Sequence, residues 1–272
     1  MENEDNLRKI QIKELDILKA LIEVCQKRNL KYYIVGGTLI GAVRHKGFIP
    51  WDDDMDVAMP RKDYDALVEK YYKDFPENIQ VQQFKLTPDV YFLPMKLVDK
   101  NTKIMEKRLE RKNQYSYLNI DVFPIDSYPN NKISRMIYKM KYYYYKMLIG
   151  FCNIDILRTN VKRPLYERVL IKFGKITHIG KILNLNKIQT RFDNFLKKYS
   201  ERDCRYIGDI EGAYGFKEFV PKEYFGEGKK IIFENLEVNA PDETDAYLRH
   251  FYGDYMQLPP EEKRVTGHFI II

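Results

Sequence analysis

Cysteine is scarce in this chain. Cys25, Cys152 and Cys204 are odd in number and far apart. They make neither a disulfide framework nor a zinc-ligand pattern, and they point to a reducing compartment. Long apolar runs are missing, since no stretch approaches the roughly 20 residues of a membrane-spanning helix. The first residues, MENEDNLRKIQIKE, are polar and acidic with no apolar centre, so no secretory leader is read there. The sequence has no Gly-x-x-x-x-Gly-Lys loop and no His-Glu-x-x-His pair, and Gly36, Gly37 and Gly41 do not form the dinucleotide fingerprint. A phosphate-loop kinase, a zinc hydrolase and a nicotinamide enzyme therefore have little support. The four histidines are scattered without metal-ligand spacing. Internal repeats and low-complexity linkers are absent as well. A cytoplasmic protein is expected.

What is present is a chain of 272 residues, 44% hydrophobic and 31% charged, able to bury a sizeable core. Its 46 basic and 39 acidic residues leave a net charge of +7, with a pI near 9.0. Such a surface favours anionic partners. Nucleotide, nucleic acid, phosphorylated glycan and anionic membrane all qualify, and charge alone does not choose among them.

The most informative stretch runs from Tyr32 to Asp63. Tyr32-Tyr33-Ile34-Val35 reads as a strand that stops at Gly36-Gly37, where the backbone can approach a ligand and turn its N–H groups toward it. Thr38 is placed to cap a short helix from Leu39 to Arg44, whose N-terminus would face the same ligand. Arg44, His45 and Lys46 put positive charge just beyond it. Then comes Trp51-Asp52-Asp53-Asp54-Met55-Asp56-Val57. In a strand Asp54 and Asp56 share one face, while Met55 and Val57 point into a core. Two neighbouring carboxylates repel each other unless a cation lies between them, and an all-oxygen donor set suits Mg²⁺ or Mn²⁺. A run of aspartates is also what a solvated loop looks like; the double glycine and the apolar alternation favour the metal reading.

Around this stretch the chain reads as ordinary α/β structure. An amphipathic helix is expected from Asn6 to Arg28, stopped at Asn29, and another from Arg61 to Phe75, ended by Pro76. Strands are expected at Ile79–Phe84 and Leu93–Val98, the second carrying Lys96 toward a donor phosphate. In Leu118–Asp126, Asp121 sits in an apolar run where a charge is costly unless paired or metal-bound, with Asp126 the weaker candidate beside it. From Asn130 to Ser200 the composition turns basic, aromatic and helical, with four successive tyrosines at Tyr142–Tyr145. The plain reading is a helical bundle that builds an acceptor pocket, and the second reading is an interfacial helix at the inner face of a membrane.

The segment GGTLIGAVRHKGFIPWDDDMDVAMPRKDY resembles the signature of the LicD family, typified by cholinephosphotransferases that decorate bacterial surface glycans and related to the fukutin-related transferases. Near the C-terminus, the hairpin around Pro221–Phe225 and Phe233–Val238 and the motif Tyr252–Pro260 resemble the same family. The resemblance implies an α/β fold, a nucleotidyltransferase-type mixed sheet flanked by helices with a helical insertion. With the change of composition near Asn130, the chain is expected to divide into a nucleotidyltransferase-like catalytic core over residues 1–129, a helical acceptor region over 130–200, and a C-terminal segment over 201–272 that packs back on the core. It implies that Asp121 joins Asp54 and Asp56 as catalytic metal ligands for one or two Mg²⁺ (or Mn²⁺) ions, with Asp121 helping to deprotonate the acceptor. Gly36, Gly37, Thr38, Arg44, Lys46, Trp51, Lys96 and His268 fall on the substrate side. The implied donor is a CDP-activated alcohol, choline first, and the acceptor a sugar hydroxyl on a surface glycan, lipid-linked in such pathways. Trp51 or the tyrosine-rich stretch offers an aromatic face for a quaternary ammonium. The alternatives are a nucleotidyltransferase acting on a sugar phosphate, small alcohol or nucleic acid, and a non-catalytic basic anion-binding module. Nucleic acid is not the partner expected.

Overall fold

A computed structural model of the protein describes residues 2–87, 90, 92–106, 115–156, 163–200, 202–264 and 269–272. In chain order these form α1 (Glu2–Arg28), β1 (Tyr33–Ile34), α2 (Gly36–His45), β2 (Asp56–Pro60), α3 (Arg61–Ala66), β3 (Ile79–Gln82), β4 (Met95–Glu106) and β5 (Tyr115–Tyr128). Then follow α4 (Lys132–Cys152), α5 (Leu165–Thr177), α6 (Leu185–Lys197), β6 (Tyr206–Gly208), β7 (Val220–Pro221), β8 (Lys229–Phe233), β9 (Leu236–Ala240), α7 (Thr244–Tyr252) and β10 (Phe269–Ile271). The chain divides into two compact units. The first comprises Met1–Gln82, Pro94–Asp126 and Tyr206–Ile272; the second comprises Gln83–Leu93 and Ser127–Arg205.

The first unit is a curled mixed sheet flanked by helices, as the sequence leads one to expect. Along its main path the strand order is β1-β2-β5-β4-β10. β1 runs antiparallel to β2, β2 runs parallel to β5, and β5 runs antiparallel to β4. β4 is longer than its apolar half, Leu93–Val98, suggests. It pairs with β3 over that half and with β10 over the rest, and its register with β5 shifts between Val98 and Lys103. The polar run in between hides the continuation from a periodicity reading: Asp99 there accepts from the Asn101 N–H and the Thr102 hydroxyl.

The core lies where the sheet meets α1, whose Ile10, Ile17, Leu18 and Leu21 are fully buried. Asn29, with φ of 53°, takes the left-handed conformation that stops this helix. The second predicted helix is shorter than expected: α3 gives way to a π-helical turn at Leu67–Tyr71, before Pro76 is reached. The β8–β9 hairpin is fastened to the rest of the unit. Phe233 packs edge-on against Phe48 at 4.9 Å, and Glu234 receives both guanidinium nitrogens of Arg8 at 2.9 and 2.8 Å.

In the second unit, α6 starts at Asn184, whose side chain accepts from the Lys187 N–H at 2.9 Å. α4 packs on α6 through Tyr142 and Tyr145 against Phe192. His178, at a φ of 50°, takes the left-handed conformation that ends α5.

Asp126 is a structural residue. Its carboxylate takes Arg61 through two nitrogens, Nε at 2.7 Å and Nη2, and the two side chains are 1% and 5% exposed. Removing one partner leaves the other charge buried, which typically costs about 3–5 kcal/mol. Asp126→Asn should therefore lower the denaturation free energy by about 3 kcal/mol or more, measured by urea unfolding.

Candidate active site

The site is built where α2, β2, β5 and β4 meet. Gly36, the first residue of α2, has a φ of +58°, and a Cβ there would stand 2.9 Å from Asp56 Oδ2. Any other side chain would be strained and would push the carboxylate away. Thr38 is not the cap expected of it. The helix begins two residues earlier than Thr38, its N-cap is Val35, and no side chain caps it. Its first N–H groups are therefore left for a ligand. Thr38 instead is buried, and its hydroxyl accepts from the Asp56 N–H at 2.9 Å, fixing the start of β2 against the helix.

Asp54 precedes the strand instead of lying in it, because β2 begins at Asp56. The alternation still holds: Asp54 is exposed, Met55 is 1% exposed, and Val57 is fully buried. Across the sheet, Asp56 lies opposite Asp121 on parallel β5, and Asp121 lies opposite Lys96 on antiparallel β4. One cross-strand row thus holds two acids and a base. Lys96 Nζ stands 2.7 Å from the buried Oδ1 of Asp121 and donates to Asn119 Oδ1 at 2.9 Å. Since Asp126 is held by Arg61, Asp121 is the carboxylate that joins the row.

Electrostatics mark the same place. Burial first, then the charges of Asp54 and Asp121, push Asp56 well above the usual carboxylate range. Asp52 is raised to about 8 by burial and by Asp54. Glu14 was missed from sequence. It projects from α1, is 1% exposed, and is raised well above normal by burial and by Asp54, Asp53, Asp52 and Asp56. The signal was there, since Glu14 falls on the apolar stripe of Ile10, Ile17 and Leu21. Its neighbour Gln11 donates to the Asp52 carbonyl at 2.9 Å and ties α1 to the aspartate loop. Asp53 is fully buried and structural, accepting from the Phe269 N–H at 2.8 Å.

The basic candidates separate. Lys46 ends α2 in the left-handed conformation and lines a cavity of about 300 Å³ with Lys229, Asp245 and Tyr255, whose lining does not include Asp56 or Asp121. Arg44 donates to the Tyr255 carbonyl at 2.9 Å and to His45. The Arg44 and Arg264 guanidinium carbons lie 6.0 and 5.5 Å from the Trp51 ring centre. With two cations already at that ring, Trp51 does not suit a quaternary ammonium. The tyrosine-rich stretch is divided between packing and exposure: Tyr142 is buried and Tyr145 stacks on Phe192, while Tyr143 and Tyr144 are 62% and 53% exposed. His268 lies outside the described residues.

A second feature missed from sequence adjoins Gly36 and Asp56. A cavity of about 160 Å³ opens there between β2, β5, the Asp209–Glu218 segment and α7. Its walls include Phe123, Tyr214, Phe225, Tyr247, Phe251 and Tyr252, with Asp209, Glu211 and Glu218 among them. Burial raises Asp209 well above the usual range and Glu218 to about 7.

Among the described residues, no three His, Cys, Asp or Glu side chains already close around a point as metal ligands do. The donor set is nevertheless all-carboxylate, and the carboxylates repel one another as they stand, which is the chemistry a hard divalent cation would satisfy.

The family model described as LicD/FKTN/FKRP, nucleotidyltransferase domain, matches residues 29–164. The lipopolysaccharide cholinephosphotransferase LicD of Haemophilus influenzae is 31% identical over 265 residues, which cover 96% of this chain and 96% of that protein. The chain belongs to the LicD family. Two uncharacterized proteins, from Rickettsia prowazekii and Rickettsia typhi, are each 49% identical over 47 residues, 17% of this chain. These matches cover 18% and 15% of those relatives.

Glu218 supplies a test that needs no substrate. A carboxyl group raised from 4.5 to about 7 binds more protons in the folded than in the unfolded state. Its stabilising contribution is present below 4.5 and is lost as pH rises through 7. Glu218→Gln should flatten the fall in melting temperature over that interval, measured by differential scanning fluorimetry across pH.

Proposed function

We propose that this protein transfers phosphocholine from CDP-choline to a sugar hydroxyl of a lipopolysaccharide-like surface glycan, with Mg²⁺ or Mn²⁺ held by Asp54, Asp56 and Asp121. The observation that carries the reading is the in-register row of Asp56, Asp121 and Lys96 beside an uncapped helix N-terminus. The extensive similarity to a protein named as a lipopolysaccharide cholinephosphotransferase supports the choice of group and acceptor.

In this reading the N–H groups of Gly36, Gly37 and Thr38 receive phosphate oxygens of the donor. Lys96, hydrogen-bonded to Asn119, offsets negative charge that develops on the leaving CMP. The acceptor oxygen forms a bond to the phosphorus that carries choline, and the pyrophosphate bond to CMP breaks. The hydroxyl proton passes to Asp121, which is reachable because its side chain is 34% exposed. A bound divalent cation would neutralise the diphosphate and polarise the transferred phosphoryl group.

CMP release should be seen with CDP-choline, a lipopolysaccharide acceptor and Mg²⁺. Asp56→Asn or EDTA should reduce it at least 100-fold. Consumption of CTP in place of CDP-choline would replace this reading with a nucleotidyltransferase.

The acceptor side is read as membrane-proximal. Among the described residues no helix is long and apolar enough to cross a membrane. α4, however, exposes Ile133, Met136, Ile137, Met140, Tyr143 and Tyr144 at helical spacing. It carries Lys132, Arg135, Lys139, Lys141 and Lys146 and no acidic residue. An apolar stripe flanked by cations fits an anionic bilayer surface, where a lipid-linked acceptor would be met. The protein should co-sediment with vesicles containing phosphatidylglycerol. Met136→Asp with Met140→Asp should release it without loss of CMP formation on a soluble acceptor.

A further inference from the structure

The cavity beside Asp56 has a composition that simple phosphate chemistry does not require. Tyr252 and Tyr214 meet edge to face with ring centres 5.8 Å apart, Tyr214 lies 5.5 Å from Phe251, and Phe251 lies 4.9 Å from Tyr247. Two carboxylates converge between the backbone and these rings. Glu218 Oε1 and Asp209 Oδ2 both approach Gly212, coming within 2.5 and 3.1 Å of where a Cβ would stand there. Short loop bonds hold them: Glu218 accepts from the Tyr214 N–H and Asp209 from the Glu211 N–H, each at 3.0 Å. Among the described residues, no lysine, arginine or histidine lines the cavity. Lys217 and His250 adjoin lining residues in sequence: the Lys217 Nζ donates to the Phe251 carbonyl and lies 5.6 Å from the Tyr214 ring centre, and the His250 ring meets Phe251 edge-on with its Nε2 2.9 Å from the Lys217 carbonyl oxygen. Tyr214 thus already has a cation partner, and Tyr252 is the face left for a ligand.

Aromatic faces and carboxylates without hydrogen-bond donors of positive charge make a cation site. A quaternary ammonium suits it best, having no N–H to donate and binding through ring faces and diffuse charge. Size agrees. About 160 Å³ is roughly half the lower bound of the ~300–1,000 Å³ taken by drug-sized ligands, the scale of a head group and too small for a nucleotide. Position agrees as well, since Gly36 and Asp56 line the same cavity and belong to the phosphate-binding end of the site.

We propose that this cavity, walled by Tyr252, Tyr247 and Phe251 and lined by the carboxyl groups of Asp209 and Glu218, binds the trimethylammonium of the transferred group and sets the choice of alcohol. The inference rests on the phosphocholine-transfer reading and adds to it the residues that select choline. The polyols ribitol and glycerol, which carry no charge, find no cation partner there.

The test is steady-state CMP release from CDP-choline and CDP-glycerol by the full chain with Mg²⁺. Wild type is compared with Tyr252→Leu, Tyr252→Phe and Glu218→Gln, each checked by circular dichroism for an unchanged secondary structure. Tyr252→Leu and Glu218→Gln should raise KM for CDP-choline about ten-fold with kcat little changed, and Tyr252→Phe, which keeps the ring, should restore it. Calorimetric titration with phosphocholine, which needs no turnover, should show the same ranking. Wild-type KM and phosphocholine affinity in all three variants would overturn the pocket and leave the transferase reading standing. Wild-type turnover of CDP-glycerol but not CDP-choline would overturn the pocket and the choline donor together.

Discussion

Repulsion among carboxylates crowded at one edge of a sheet is the constraint on which the site depends. Asp56 and Asp121 are brought opposite each other by the parallel pairing of β2 with β5, and Lys96 is added by the antiparallel pairing of β5 with β4. No loop is asked to hold them. Because register moves every side chain on a strand together, a one-residue slip of any of the three strands would turn its member of the row to the other face. The buried alternates Met55, Val57, Ile120 and Val122 prevent that slip, so the same apolar contacts that stabilise the sheet also aim its charges. Thr38 and Gly36 then seat α2 on the row, one by a hydrogen bond to the Asp56 backbone and the other by leaving room for its side chain.

The acidic character extends in two directions, with different consequences. Toward α1, Glu14 lies at 1% exposure behind the aspartate loop, in a place where its proton is favoured until positive charge arrives. Toward α7, the carboxylates are set among aromatic rings. The first arrangement suits a small hard cation; the second suits a large soft one. The phosphocholine-transfer reading proposed above would use both kinds of site side by side.

Much of this was legible in the sequence, and what was legible was local. The glycine turn, the alternation around Asp56, the charge inside the apolar run at Asp121 and the lysine at Lys96 lie on short stretches whose periodicity shows which face they share. The strand boundaries were off where polar residues interrupted a continuing strand, as at Asp99–Lys103, or where a helix changed its pitch, as at Leu67. Thr38 was misassigned because a hydroxyl three residues after the true N-cap looks like a cap in sequence. The head-group cavity was not legible. Its walls come from Phe123, Tyr214 and the end of α7, which lie far apart along the chain, and among 22 tyrosines a consecutive run is a stronger pattern than the lone Tyr252. Trp51 was attractive for the same reason, until the guanidiniums of Arg44 and Arg264 were seen against its ring.

The most direct test of the central claim is anomalous diffraction from crystals grown with Mn²⁺. The account predicts a manganese peak bound by Asp56 and Asp121, with Lys96 displaced from the Asp121 oxygen that it now faces. Manganese found only elsewhere, with the Lys96–Asp121 pair intact, would contradict it.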